Sequence, residues 1–96
     1  MEYLVAYDVA TDSAAGRKRL RRVAKVCEAH GQRVQKSVFE CILSEMQLEV
    51  LVHRLSREVA PLEDSLRIYR LVEPRERYTR VLGQTIAHDL REPLVL

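Results

Sequence analysis

The sequence predicts an α+β domain of order β-α-β-β-α-β, with a four-stranded antiparallel sheet and two helices on one of its faces. Three observations predict it. Hydrophobic periodicity alternates between that of a strand and that of a helix in this order over residues 1–73. Each helical stretch opens on its own cap signal. Several strands place apolar side chains on both faces, as central strands do. That order is the ferredoxin-like split βαβ unit. The length, 96 residues, allows one domain, and 47% apolar with 31% charged residues is the balance of a folded soluble protein.

The first strand is Tyr3-Leu4-Val5-Ala6-Tyr7, closed by Asp8. By parity Asp8 shares a face with Leu4 and Ala6, at the carboxyl end of the strand, where α/β sheets tend to expose functional groups. Thr11, Asp12 and Ser13 then supply N-cap candidates for a helix from about Ala14 to His30. Its stripe is Leu20, Val23, Ala24 and Cys27, with Arg17, Lys18, Arg21, Arg22 and Lys25 mostly off it. Gly16 weakens the first turn and suggests a later start, and Gly31 is placed to close the helix as a C′ residue. Two strands follow, Arg33–Gln35 and Val38–Leu43, cornered near Gln35-Lys36-Ser37. Without an Asn-Gly turn, that corner calls for a bulge or a short irregular turn.

Ser44-Glu45-Met46-Gln47 is a capping box. The helix it opens runs to about Val59, with Leu48, Leu51, Val52, Leu55 and Val59 on one side and Pro61 as a stop. Asp64–Val72 reads as the fourth strand, and Tyr78–Leu82 as a short fifth strand before Gly83. Residues 74–96 are therefore set apart as a C-terminal strand and tail, the strand expected to add to the sheet edge of a second subunit and the tail to dock on a partner or on the domain itself. The apolar end Pro93-Leu94-Val95-Leu96 is expected to dock. Two helices leave the second sheet face bare, and its apolar content favours a homodimer in which two sheets cover each other.

Cys27 and Cys41 fall at apolar positions without a Cys-x-x-Cys or Cys/His cluster, so buried thiols are expected rather than a disulfide or zinc site. The N-terminal run is too short for a signal peptide, and no run is long enough to span a bilayer, so a cytoplasmic protein is the default. Net charge is only +2, but it is unevenly spread. Between Ser13 and Phe39 eight basic residues face a single acid, Glu28. A second arginine group runs from Arg67 to Arg80, and arginine forks suit phosphate oxygens. The alternative is an ordinary solvated helix face.

Asp8 is one carboxylate per chain. Phosphodiester hydrolysis needs neutralised phosphoryl oxygens and an activated water, usually through a hard divalent cation on oxygen ligands. One Asp cannot hold magnesium tightly, whereas two across a two-fold axis can, so a metal reading requires the dimer. The alternatives are a capping role for Asp8 or an ion pair with a nearby arginine. Tyr7 and Phe39 are able to stack on bases, but core packing is the simpler role. The glycine-aromatic strand motif of RNA-recognition modules is absent.

The segments Tyr7-Asp8-Val9, Arg17 to Lys25, Gly31 to Cys41 and Asp64 to Leu71 together resemble the CRISPR-associated protein 2 family, over nearly the whole chain. The Ser-Val-Phe-Glu-Cys version and the Glu-Pro-Leu-Val-Leu ending are most similar to members from type I-C loci. The resemblance implies a ferredoxin-like homodimer whose first-strand aspartates face each other and share magnesium, with manganese as an alternative. It implies a metal-dependent endonuclease acting on RNA or double-stranded DNA, and equally an adaptor that holds prespacer DNA and bridges dimers of the CRISPR-associated integrase, protein 1. Asp8 matches the family's metal-binding and catalytic aspartate. Tyr7, Arg19, Arg21, Arg33 and Phe39 match positions tied to activity or nucleic-acid contact, with Ser37 in the same block. The turn from Val9 to Gly16 is longer than in many members, so Arg17 and Arg22 stand as alternatives to Arg19 and Arg21. A toxin-like ribonuclease of the VapD kind, with the same fold and order, is a third reading.

Overall fold

The structure, a computed structural model, describes residues 1–84. Its elements are β1 (Glu2–Asp8), α1 (Ala14–His30), β2 (Gln32–Gln35), β3 (Val38–Ile42), α2 (Glu45–Glu58), β4 (Ser65–Arg70) and α3 (Arg75–Tyr78). The four strands form one sheet in the order β2-β3-β1-β4, and every neighbouring pair is antiparallel. The β-α-β-β-α-β order and sheet are those expected from the sequence.

Alternation along β1 divides the two faces. Tyr3, Val5 and Tyr7 are buried with Phe39 and Cys41 of β3, against Val23, Val26 and Cys27 of α1 and Leu51 and Leu55 of α2. Phe39 is fully enclosed, and truncating such a ring typically costs about 3–5 kcal/mol. The opposite face carries Leu4, Ala6 and Asp8, which register against Tyr69, Arg67 and Ser65 of β4. Val38 and Glu40 pair with Ala6 and Leu4 from the other side. Both cysteines are free and buried, as expected.

The helix caps follow the local sequence. Ser13 accepts the Gly16 amide at 3.0 Å, so α1 begins at Ala14 despite the glycine. Gly16 is there for space: a Cβ would lie 3.0 Å from the Ala10 carbonyl carbon and nearer still to its oxygen. Ser44 and Gln47 close the capping box reciprocally, at 2.8 and 3.1 Å. The expected corner is a Lys36-Ser37 turn, with a register irregularity between Arg33 and Gln35.

Four details differ from the sequence reading. Gly31 closes α1 in an extended conformation, φ −165°, and not as a left-handed C′ residue. Glycine is needed there because a side chain would meet Cys41 Sγ and sit 2.5 Å from the Glu40 carbonyl oxygen. Val26 joins the buried stripe of α1. Val52 is exposed, because α2 meets the core along Leu51 and Leu55 and Val52 turns away from it. Residues 78–82 form no strand: Arg75–Tyr78 is a short helix and 79–82 have no ladder partner. A strand meant to extend a second subunit's sheet finds no such edge within one chain. The expected docking of residues 93–96 lies outside the described residues.

The segment after β4 is fastened back onto the otherwise bare face. Arg75 Nε donates to Glu40 at 2.8 Å, and its Nη1 and backbone N–H both donate to Glu2 at 3.0 Å. Glu73 accepts the Glu2 amide at 3.3 Å. Bonds from Arg75, backbone first and guanidinium second, hold the Glu2 carboxyl below its usual range.

Candidate nucleic-acid interface

Asp8 is the last residue of β1 and is exposed on the sheet face away from the helices. The backbone around it is held on both sides. Tyr7 N–H donates to the Ser37 carbonyl at 3.0 Å, and Asp8 is in register with Ser65 of β4. Beyond Asp8, Val9 is buried and the Ala10 amide donates to Asp64 at 3.1 Å. Ser13 then starts α1, with no acid in its first turn.

Helical spacing sorts the basic residues of α1 into two sets. Arg17, Lys18, Arg21, Arg22 and Lys25 are exposed, at i, i+4 intervals along the solvent side. None of the five is in an ion pair among the described residues. Arg17 donates to the Thr11 carbonyl at 3.3 Å, which keeps its guanidinium beside the loop that follows Asp8. A row of unpaired cations is what a polyanion backbone engages.

Arg19 does something else. It lies one helical turn before the buried Val23, and its side chain turns inward to Asp64, with Nε–Oδ2 at 2.9 Å and Nη2–Oδ1 at 3.3 Å. The Asp64 side chain has no exposed surface and also accepts the Ala60 amide at 2.8 Å. The Arg19 guanidinium, with the Ala60 and Ala10 amides, holds the Asp64 carboxyl well below the usual carboxylate range. Glu63 adds a further contact to Arg19 at 3.7 Å.

The aromatic pair is internal. Tyr7 and Phe39 are buried, with centroids 6.2 Å apart and rings 23° from parallel. Burial raises the Tyr7 phenol above its ordinary value. Arg33 covers Phe39 from outside, its guanidinium carbon 5.2 Å from the ring centroid, and pairs with Glu28 at 3.6 Å. Its Nε is buried without a partner among the described residues. In this conformation Tyr7 and Phe39 therefore shape the sheet beneath the site, and neither offers a free ring face to a base. Ser37 is half-buried in the β2–β3 turn, with its carbonyl committed to Tyr7.

The structure thus sets Asp8 beside the Ser37 turn at one end of the open sheet face, while the exposed row of α1 lies in the helical layer and is tied to the Asp8–Ser13 loop through Arg17. It commits Arg19 to Asp64. The sequence alone does not mark the role of Asp64, because an Asp before a strand is ordinarily a turn residue. The signal was available in Arg19, which the 3.6-residue period places beside Val23 and Val26 and away from the exposed cations.

As for metal, Asp8 is a hard oxygen donor in an accessible place, but among the described residues no three His, Cys, Asp or Glu side chains converge. One chain offers a single carboxylate where a divalent cation wants about six oxygens. The donor type fits magnesium or manganese, and the count fits only if a second chain contributes. Among the described residues no helix is long and apolar enough to cross a membrane.

Comparison with known proteins identifies relatives of the chain. The family described as CRISPR associated protein Cas2 matches residues 1–81. The chain is similar to the CRISPR-associated endoribonuclease Cas2 1 of Moorella thermoacetica, 53% identical over the full length of both chains. It is 46% identical to the CRISPR-associated endonuclease Cas2 of Halalkalibacterium halodurans, over 99% of each. Among solved structures, Streptococcus pyogenes Cas2 at pH 6.5 superposes with a TM-score of 0.80 and 47% identity, over 86% of this chain and all of that one. These matches carry no subtype.

Proposed function

The chain belongs to the CRISPR associated protein Cas2 family, and from that premise we propose that it is a nuclease subunit of the spacer-acquisition machinery. It cleaves phosphodiester bonds in RNA or double-stranded DNA, and two copies of the chain form the working unit. The observation that carries this reading is the placement of Asp8. An exposed carboxylate closes the central strand, and a row of cations unpaired among the described residues begins one loop later along the chain. Relatives at 53% and 46% identity bear the names endoribonuclease and endonuclease.

Within this proposal Arg17, Arg21 and Arg22, with Lys18 and Lys25, hold the nucleic-acid backbone. Asp8 from each of two copies would hold a magnesium or manganese ion. A bound divalent cation supplies charge neutralisation at phosphorus and a more acidic water. Half-buried Leu4, Ala6 and Val38, with exposed Ile42 and Tyr69, give the open sheet face the apolar character a second copy would cover. Within the proposal, the segment after β4 that Arg75 holds on this face packs on the second copy or on the integrase.

The test is Asp8→Ala on freshly purified protein. Cleavage of a labelled RNA or duplex in magnesium is expected to fall to background, with binding of the same oligonucleotide retained. Undiminished cleavage overturns the assignment.

A second reading is a non-catalytic dimer that clamps prespacer DNA and bridges integrase dimers. One observation favours it: each chain brings one carboxylate, and among the described residues no cluster of acids or histidines joins it to share proton transfer. Spacer acquisition in cells carrying Asp8→Ala separates the two. Retained acquisition supports the adaptor, and lost acquisition supports the nuclease.

A further inference from the structure

We propose that Arg19 and Asp64 are a positioning pair for Asp8, and that Arg19 is not itself a contact for nucleic acid. The proposal rests on the reading of Asp8 given above and adds two residues that act through it. Four hydrogen bonds converge on the Asp64 carboxylate, from three separate segments: the loop after β1, helix α1 and the turn after α2. The first of these, from the Ala10 amide, lies two residues past Asp8. Asp64 is also the chain neighbour of Ser65, whose backbone is in register with Asp8. The Asp64 side chain thus fixes the loop just beyond Asp8, while the backbone of its neighbour Ser65 pairs with Asp8 across the ladder.

The loop is held from its other side too. The Ala10 carbonyl packs so closely on Gly16 that no Cβ fits between them, and Ser13 anchors the Gly16 amide. Ala10 has its N–H bound by Asp64 and its carbonyl pressed on α1, which leaves the backbone next to Asp8 little freedom. Displacement by about 1 Å of a group that must meet phosphorus or a cation costs on the order of 100-fold in rate.

Arg19 is poorly suited to bind phosphate. Its Nε and Nη2 are directed at Asp64, Glu63 lies beside it, and its side chain is only 16% exposed. Its charge is neutralised within the fold, whereas the five exposed cations of α1 are not. A buried carboxylate that loses its cation is strongly disfavoured. Substitution at Arg19 therefore disturbs the Asp64 clamp and not a ligand.

The experiment compares Asp64→Asn, Arg19→Gln and Arg19→Lys in the full chain, using a labelled RNA or duplex oligonucleotide at fixed salt. In Asp64→Asn and Arg19→Gln, kcat is expected to fall on the order of tenfold or more, with KM and oligonucleotide affinity unchanged. Arg19→Lys, which keeps a cation beside Asp64, recovers part of the loss. Hydrogen exchange at the Ala10 amide is expected to quicken while the Val5 amide in mid-strand stays protected.

Weakened binding with kcat intact in Arg19→Gln would make Arg19 a contact and overturn the proposal. So would full kcat in Asp64→Asn, or unchanged exchange at Ala10. If Asp64→Asn does not fold, Arg19→Gln decides, because it leaves both backbone donors to Asp64 in place. Asp8→Ala, run alongside, isolates the earlier reading: if that variant cleaves normally, the Asp8 assignment falls. The exchange measurement then judges the pair by itself.

Discussion

Four carboxylates near the ends of the central strand have unlike surroundings, and the surroundings set what each can do. Asp8 is exposed and open to a cation from outside. Asp64 is enclosed and saturated by donors from its own chain. Glu2 and Glu40 share a single guanidinium, that of Arg75. The buried thiols are a parallel case. Burial raises both, and Cys27 is pushed up to about 12. A thiol so raised in the folded chain keeps its proton where the unfolded chain, at about 9, has lost it. Stability is thus fully present below pH 9 and declines as pH rises from there toward 12. At pH 8 Cys27 is expected to resist a thiol reagent in native protein and to react promptly in denaturant, as followed by mass spectrometry. Rapid native labelling contradicts the enclosed position.

Helix α1 shows how one element carries two kinds of basic residue. Arg17, Arg21 and Lys25, and likewise Lys18 and Arg22, project to solvent one turn apart, whereas Arg19 lies beside the stripe formed by Val23, Val26 and Cys27. Replacing Arg17, Arg21 and Arg22 together by Glu is expected to weaken oligonucleotide binding and flatten its dependence on salt. Each lost phosphate contact removes about 0.9 from the logarithmic salt slope on duplex DNA. A slope equal to that of the parent chain would show that this face does not meet the ligand. Helix α2 has no comparable charge row, and its capping box serves the fold. Ser44→Ala is expected to lower stability by about 1 kcal/mol in denaturant titration, with cleavage unaffected.

For the molecule as a whole, the proposed dimer uses the face opposite the helices. Four strands about 4.8 Å apart and some five residues long make a flat footprint of about 300 Å². A stable interface buries roughly 800 Å² per partner. In the proposed dimer the segment that Arg75 fastens beside the sheet adds to this contact. Leu4→Lys, a charge at the middle of that face which a two-fold axis would double, is expected to give a folded monomer. Circular dichroism and sedimentation velocity check this, and cleavage should vanish with the dimer. A dimer that survives the substitution would place the association elsewhere.

Much of this was legible in the chain itself. The strand and helix periods, the two serine caps and the parity that exposes Asp8 are local properties, fixed by neighbours within a few residues, and the structure reproduces them. Tertiary structure alone decided which side chains the site can spend on a ligand. Arg19 meets Asp64 across 45 positions and Arg75 meets Glu2 across 73, and no local pattern encodes such distances. Gly31 is required by the close approach of Cys41 and not by its own backbone angles. Whether a charged residue faces solvent or a partner is settled by packing, because desolvation and pairing depend on what the whole fold brings near.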